Sequence, residues 1–305
     1  EGVEVVLGHP GEVRAYSVRH MPDSASRAVL ITGCSTGIGR ATAARLAGAG
    51  WPVYATARRV ETLSDLEAAG CRTLALDVTD DASMQSAVAE VVGEHGAVGV
   101  LINNAGYSQS GPIEEVPLDA ARRQFETNVF GAMRMAQLVL PRMRDQRWGK
   151  IVNISSMGAN FTFPGGGWYH STKYALDALS DALRFEVSGF GVDVVIIQPG
   201  LIKTEFGNAA VGSMEETTDQ GGPYGKFNAV LEKATQNVYG DSSPIGKLGG
   251  PPEAVAAVIE KALNAKRPKP RYRVTPSAHL MITQKRLLPD RAWDRAMRTQ
   301  FPRPR

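Results

Sequence analysis

Tyr169 and Lys173 stand four residues apart in the stretch from Ser155 to Lys173, which leaves an apolar run, crosses a Gly-rich loop and enters a helical pattern. On a helix, that spacing puts both side chains on one face, a turn apart. An ammonium beside a phenol favours the phenolate, so the pair is expected to bring the Tyr169 pKa down from about 10 toward neutrality. A phenol tuned in this way can give a proton to a carbonyl oxygen or take one from an alcohol. Ser156, thirteen residues before Tyr169, can offer its hydroxyl to the same oxygen. Tyr-x-x-x-Lys alone also describes an ordinary solvated helix face. Its meaning depends on what positions it.

The elements that must do so alternate. Apolar runs at Ala28–Ile31, Val53–Ala57, Arg72–Leu76, Val100–Asn103, Lys150–Ile154, Val192–Ile197 and Arg271–Val274 read as strands. Helical patterns fall between them, at about 40–49, 61–69, up to 92, 118–144 and 168–190, then 227–239 and 253–264. Two further helical pieces, about 279–288 and 291–300, sit in a C-terminal extension spanning 276–305. Strands separated by helices make a parallel sheet covered on both faces, so the expectation is an α/β domain over 28–305 with about seven strands. Residues 1–27 read as an N-terminal arm, either accessory or a start-site artefact, since the chain opens without Met and Met21 could be a natural start. The stretch from about 206 to 224 is Gly-rich and without a period, and reads as irregular. It opens a segment, about 206–250, that reads as a lid over a substrate.

After the first strand comes Thr32-Gly33-Cys34-Ser35-Thr36-Gly37-Ile38-Gly39. Glycines let the backbone approach a pyrophosphate, and the N-terminus of the helix that follows favours its charge. The second strand ends Ala57-Arg58-Arg59, with no carboxylate to hold a ribose 2′-hydroxyl or to repel a 2′-phosphate. Arg58 is therefore expected to prefer NADP(H), with NAD(H) still possible. Asp77 and Val78 follow the third strand, where a carboxylate could accept from an adenine amine or cap the next helix.

Together these residues resemble the short-chain dehydrogenase/reductase family over roughly 28–204. The resemblance rests on the glycine motif, Asn103-Asn104-Ala105-Gly106 after the fourth strand, Asn128 in Glu-Thr-Asn-Val, Ser156, Tyr169 and Lys173, and Pro199-Gly200 with Thr204. It implies a Rossmann-type, doubly wound parallel sheet. It also implies that Tyr169 is the acid/base and that Lys173 lowers its pKa and holds the nicotinamide ribose. Ser156 would polarise the substrate oxygen, and Asn128 would position a water linking Lys173 to solvent. Asn104, Ala105, Gly106, Pro199, Gly200, Ile202 and Thr204 would line the cofactor. The segment 199–206 and the long C-terminal part look like the hydroxysteroid- and retinol-dehydrogenase-like branch. Family members commonly pair through helices, so a dimer or tetramer is expected.

Composition narrows the classes. The net charge is +3, too small to call for nucleic acid; two cysteines and five histidines form no metal-ligand spacing. No apolar run reaches the ~20 residues that span a bilayer, and a cytoplasmic enzyme is expected. Tyr107, Met157, Phe161, Phe163, Trp168 and Phe206 flank the motifs and suggest an apolar pocket for a bulky ketone, aldehyde or alcohol. Lys203 is the one cation in these loops that could meet an anionic substrate. The basic run 266–273 and the mixed stretch 287–301 read as a solvated linker and a packed terminal helix, ahead of membrane-surface or partner binding. A non-catalytic NADP(H)-binding regulator is the main alternative, but it would be expected to lose Tyr169 or Lys173. A sugar-nucleotide epimerase would carry Gly-x-x-Gly-x-x-Gly instead.

Overall fold

A computed structural model describes residue 22 and residues 24–215, 221–239 and 246–301. Most of the expected arm, 1–21 and 23, and parts of the expected lid, 216–220 and 240–245, lie outside the described residues.

Short strands rich in Val and Ile, each followed by a helix, form the expected parallel sheet. Its strands are β1 (Val29–Ile31), β2 (Val53–Ala57), β3 (Arg72–Ala75), β4 (Val100–Asn103), β5 (Gly149–Ile154), β6 (Val192–Pro199) and β7 (Arg271–Val274). They lie in the order β3-β2-β1-β4-β5-β6-β7, and every pairing is parallel. Alternate side chains feed two cores. Val29 and Ile31 pack toward α1 (Gly37–Gly48) and α9 (Pro252–Asn264). Leu30 packs toward α3 (Asp81–His95) and α5 (Ala132–Asp145) on the other face. Between α1 and α3 runs the short α2 (Ser64–Ala68). The order reverses between β1 and β4, so the crevice beyond their C-terminal ends is where an open α/β sheet takes a ligand.

The single helix expected over 118–144 is divided. α4 (Leu118–Phe125) and α5 are joined by a π turn, Glu126–Gly131, with Asn128 inside it. A π turn breaks the regular ladder by one residue, and here the buried Asn128 amide bonds outside its own helix. α6 (Gly167–Glu186) follows β5 and carries Tyr169 and Lys173.

The stretch after Thr204 is not irregular as expected. α7 (Phe206–Glu215) starts there, despite Gly207 and Gly212, each of which costs a helix about 1 kcal/mol against Ala. Tertiary contacts offset that cost. Met214 is buried with Phe227 and Leu231 of α8 (Gly225–Tyr239), and Ser213 bonds to the β4–α4 loop. α10 (Pro276–Leu287) and α11 (Asp290–Gln300) fold back so that Trp293 and Met297 pack on Met157 and Phe161.

Candidate active site

β4 and β5 end side by side, and the segments leaving them carry the reactive groups. The Ser156 hydroxyl accepts the Gly158 N–H at 3.0 Å, which fixes a tight turn at Met157–Ala159. His170, next to Tyr169, accepts the Phe163 N–H on Nε2 and therefore donates from Nδ1 to the Gly158 carbonyl, at 2.9 Å. Burial holds His170 below its usual pKa and so neutral. The loop between Ser156 and α6 is thereby pinned to the helix that presents Tyr169.

Lys173 is buried and donates to the Ile154 carbonyl at 2.9 Å, with its ammonium 5.8 Å from the Tyr169 ring centre. The expected lowering of the Tyr169 pKa is not found. Burial pushes the phenol up to about 12, against a lowering by a hydrogen bond with Ser156. Burial likewise pushes Lys173 down to about 8, and only the carboxylate of Asp177, one turn further along α6, pulls it back. Desolvation is the largest cause of both shifts, and neither group contributes to the shift of the other. The Tyr169 phenol thus keeps its proton at neutral pH.

Asn128 does not reach the wall of the cleft. Its Nδ2 donates to the Tyr107 carbonyl at 2.9 Å and to the Thr172 hydroxyl at 3.1 Å, and its Oδ1 accepts the Tyr107 N–H. It ties the segment after β4 to α6 from behind.

From Ser156, Tyr169 and Lys173 a cleft of about 770 Å³ runs to the glycine turn. Ser35, Thr36, Gly37 and Ile38 line it with Gly33 from the turn, as do Arg58, Asp77, Val78, Asn104, Ala105, Gly106, Pro199, Gly200, Ile202 and Thr204. Gly39 does not; a Cβ there would strike the Gly33 carbonyl and the Asn104 amide, so this glycine serves close packing behind the turn. Asn104 clamps that turn by donating to the Thr32 and Gly33 carbonyls at 2.9 and 2.8 Å. Asp77 is not the helix cap, which is Asp80; it accepts from Thr79 and remains on the cleft wall.

A dinucleotide fits what is present. Gly37 adopts φ +59°, and a Cβ there would press on Thr204 across the cleft. The first turn of α1 has no acidic residue and no side-chain cap, so its free N–H groups are available to a pyrophosphate. Arg58 is exposed and has no ion-pair partner among the described residues.

A short chain dehydrogenase model matches residues 27–214. The chain belongs to the short-chain dehydrogenase family. It is similar to the NADPH-dependent 3-dehydrocapnine reductase of Ornithobacterium rhinotracheale, with 38% identity over 88% of this chain and 95% of that protein. It is 34% identical to the 3-ketodihydrosphingosine reductase of Bacteroides thetaiotaomicron, over 88% and 96% of the two chains. A solved short-chain dehydrogenase from Streptomyces avermitilis superposes with a TM-score of 0.74 at 33% identity, covering 92% and 96%. This short-chain dehydrogenase is accordingly an NAD(P)-dependent oxidoreductase.

Of the aromatic residues expected around the substrate, Tyr107 and Phe206 line the cleft, and Phe206 lies 5.4 Å from the Tyr169 ring. Met157 and Phe161 belong instead to the core under α11, and Phe163 packs against it. Sequence reasoning missed Arg123 and Thr127, which line the cleft from the end of α4 and the π turn. Their four-residue spacing was the available signal, but nothing local shows that α4 flanks the crevice.

Proposed function

We propose that this enzyme is an NADPH-preferring reductase of a long, largely apolar ketone, with Tyr169 as the general acid. The carrying observation is the meeting of Ser156, Tyr169 and Lys173 at one end of a cleft whose other end is the glycine turn. The nicotinamide, when bound, exchanges hydride with the substrate carbon. Ser156 would hold the carbonyl oxygen by its hydroxyl while Tyr169 gives that oxygen a proton. The high pKa of Tyr169 suits this direction, because the phenol keeps its proton throughout the neutral range. Oxidation of the alcohol would need the phenolate and so favours alkaline pH. Lys173, with three donors, would hold ribose hydroxyls, and Asn128 would position α6 rather than touch a reactant.

NADPH preference is supported by Arg58, which is exposed on the cleft wall after β2 and has no ion-pair partner among the described residues. The relatives named as reductases of 3-dehydrocapnine and of 3-ketodihydrosphingosine support a long-chain ketone. Phe206 and Tyr107 offer the apolar wall such a chain requires.

The test is NADPH oxidation against long-chain 3-ketones and short control ketones. Turnover that favours the long chains and falls by at least about 10²-fold in Tyr169→Phe, with cofactor affinity nearly unchanged, is the expected result. Normal turnover in Tyr169→Phe removes the acid assignment.

A further inference from the structure

Charge is distributed unevenly along the chain. Residues 266–305 hold twelve Lys or Arg against two acidic residues, whereas residues 1–265 hold 22 against 29. The small net charge of +3 conceals a strongly cationic C-terminal end.

The fold leaves much of that charge unneutralised. Arg286, Arg291, Arg295 and Arg298 are exposed, and among the described residues none has an ion-pair partner. Arg291, Arg295 and Arg298 recur at i, i+4 and i+7, which places them along one face of α11. Trp293 and Met297 are buried on its other side. Of the two acidic residues here, Asp290 is engaged by Lys285. Burial, and then the like charge of Arg286, hold the Arg273 guanidinium below its usual pKa. Cations kept together in this way repel one another unless an anionic counterpart comes from outside.

Exposed apolar side chains stand where α10 ends and α11 begins. Leu287 is 77% exposed and Leu288 37%, with Arg286 and Arg291 on either side of them in the chain; Leu280, 42% exposed, lies two turns before Leu287 on the same face of α10. Exposed leucines among unpaired arginines match a bilayer surface, where apolar groups enter the acyl boundary and cations meet phosphates. A nucleic acid would be met by exposed stacking rings, but Trp293 is buried and Phe301 packs on Phe227 of α8. No helix among the described residues is long and apolar enough to cross a membrane, so contact here would be peripheral.

This unit also packs against the segments on either side of the reactive groups. Trp293 lies 5.6 Å from Phe161 and 6.4 Å from Phe163 in the loop before Tyr169. The Ser277 hydroxyl accepts the Leu201 N–H beside Pro199-Gly200.

We propose that β7, α10 and α11 form a docking surface for an anionic lipid bilayer, which holds the enzyme where a long-chain ketone can pass from the bilayer to Tyr169. The lipid assignment rests on the long-chain ketone reading above.

The full chain is sedimented with vesicles of phosphatidylcholine alone, or with about a third phosphatidylglycerol. Expected is at least about tenfold tighter binding to the anionic vesicles, weakening as salt rises. The triple variant Arg291→Glu, Arg295→Glu, Arg298→Glu should lose it, and Leu287→Asp should weaken it. Both should turn over a short soluble ketone like the parent. Equal binding to neutral vesicles, or full binding by the triple variant, overturns the proposal. So does RNA that binds the same arginines more tightly than the vesicles, or sedimentation velocity showing that the triple variant dissociates a dimer. Because vesicle binding is read without substrate, an enzyme inactive on every ketone still tests the surface. Turnover without vesicle binding defeats the surface alone.

Discussion

Lys173 shows at the residue scale how a buried charge opposes stability. An unfolded lysine titrates near 10.5, and burial brings the folded group to about 8. Between those values the unfolded state binds more protons, so stability rises with pH in that window; below about 8 both states are protonated and the full cost of the buried charge is present. Lys173→Met should therefore be more stable than the parent at pH 7, by on the order of 3 kcal/mol, while losing nearly all turnover. The advantage should shrink between pH 8 and 10. Chemical denaturation of both proteins across that range measures it, and a variant less stable at pH 7 would mean that the bond to the Ile154 carbonyl outweighs desolvation. The same burial explains why the spacing of Tyr169 and Lys173 misled about pKa. Spacing reports that two groups are neighbours, whereas desolvation depends on everything else packed around them.

At the scale of elements, the sequence resolves what local chemistry decides. The glycine turn, the strand ends and the start of α6 are legible because each needs particular residues within a few positions. The π turn at Asn128 is not, because it depends on bonds to Tyr107 and Thr172 in other segments. Phe161 and Met157 looked like pocket residues until α11 folded over them. α7 is hidden for the same reason: its glycines speak against a helix, and its support is distant. The Ser213 hydroxyl accepts the Ser110 N–H at 3.0 Å and lies 3.1 Å from the Ser108 carbonyl, while the Gln109 amide donates to the Ser213 carbonyl at 3.0 Å. Tyr224 and Asn228 fasten the next helix to Glu114 and Glu115. At about 1 kcal/mol for each bond lost, Ser213→Ala should loosen this clasp by roughly 1–3 kcal/mol. Amide exchange over 206–215 should quicken and KM for a bulky ketone should rise several-fold, with NADPH affinity almost unchanged. Unaltered exchange there would show that Met214 packing alone holds α7 down.

At the scale of the whole molecule, the crevice draws on β1, β2, β3, β4, β5 and β6, because the glycine turn, Arg58, Asp77, Asn104, Ser156 and Pro199 each leave a different strand. A ligand that binds there touches most of the sheet's C-terminal edge, yet each contact exists only in the folded chain. Binding energy is then folding energy: at a thousand times its Kd, a cofactor adds about 4 kcal/mol to the stability of the native state. For a chain of this size that corresponds to a rise in Tm on the order of 5–10 °C. On the proposed reading NADPH should raise Tm by more than NADH at equal concentration, since a phosphate on the ribose would meet the Arg58 guanidinium, which has no ion-pair partner among the described residues, and a hydroxyl would gain little from it. Arg58→Ala should erase most of that difference while leaving the NADH shift in place, because the glycine turn and Lys173, as proposed, would still hold the shared parts of both cofactors. Thermal unfolding of parent and variant with each cofactor separates the cases. An equal loss for NADPH and NADH would mean that Arg58 supports the cleft as a whole, and Arg123, the other guanidinium on its wall, would become the candidate for the phosphate.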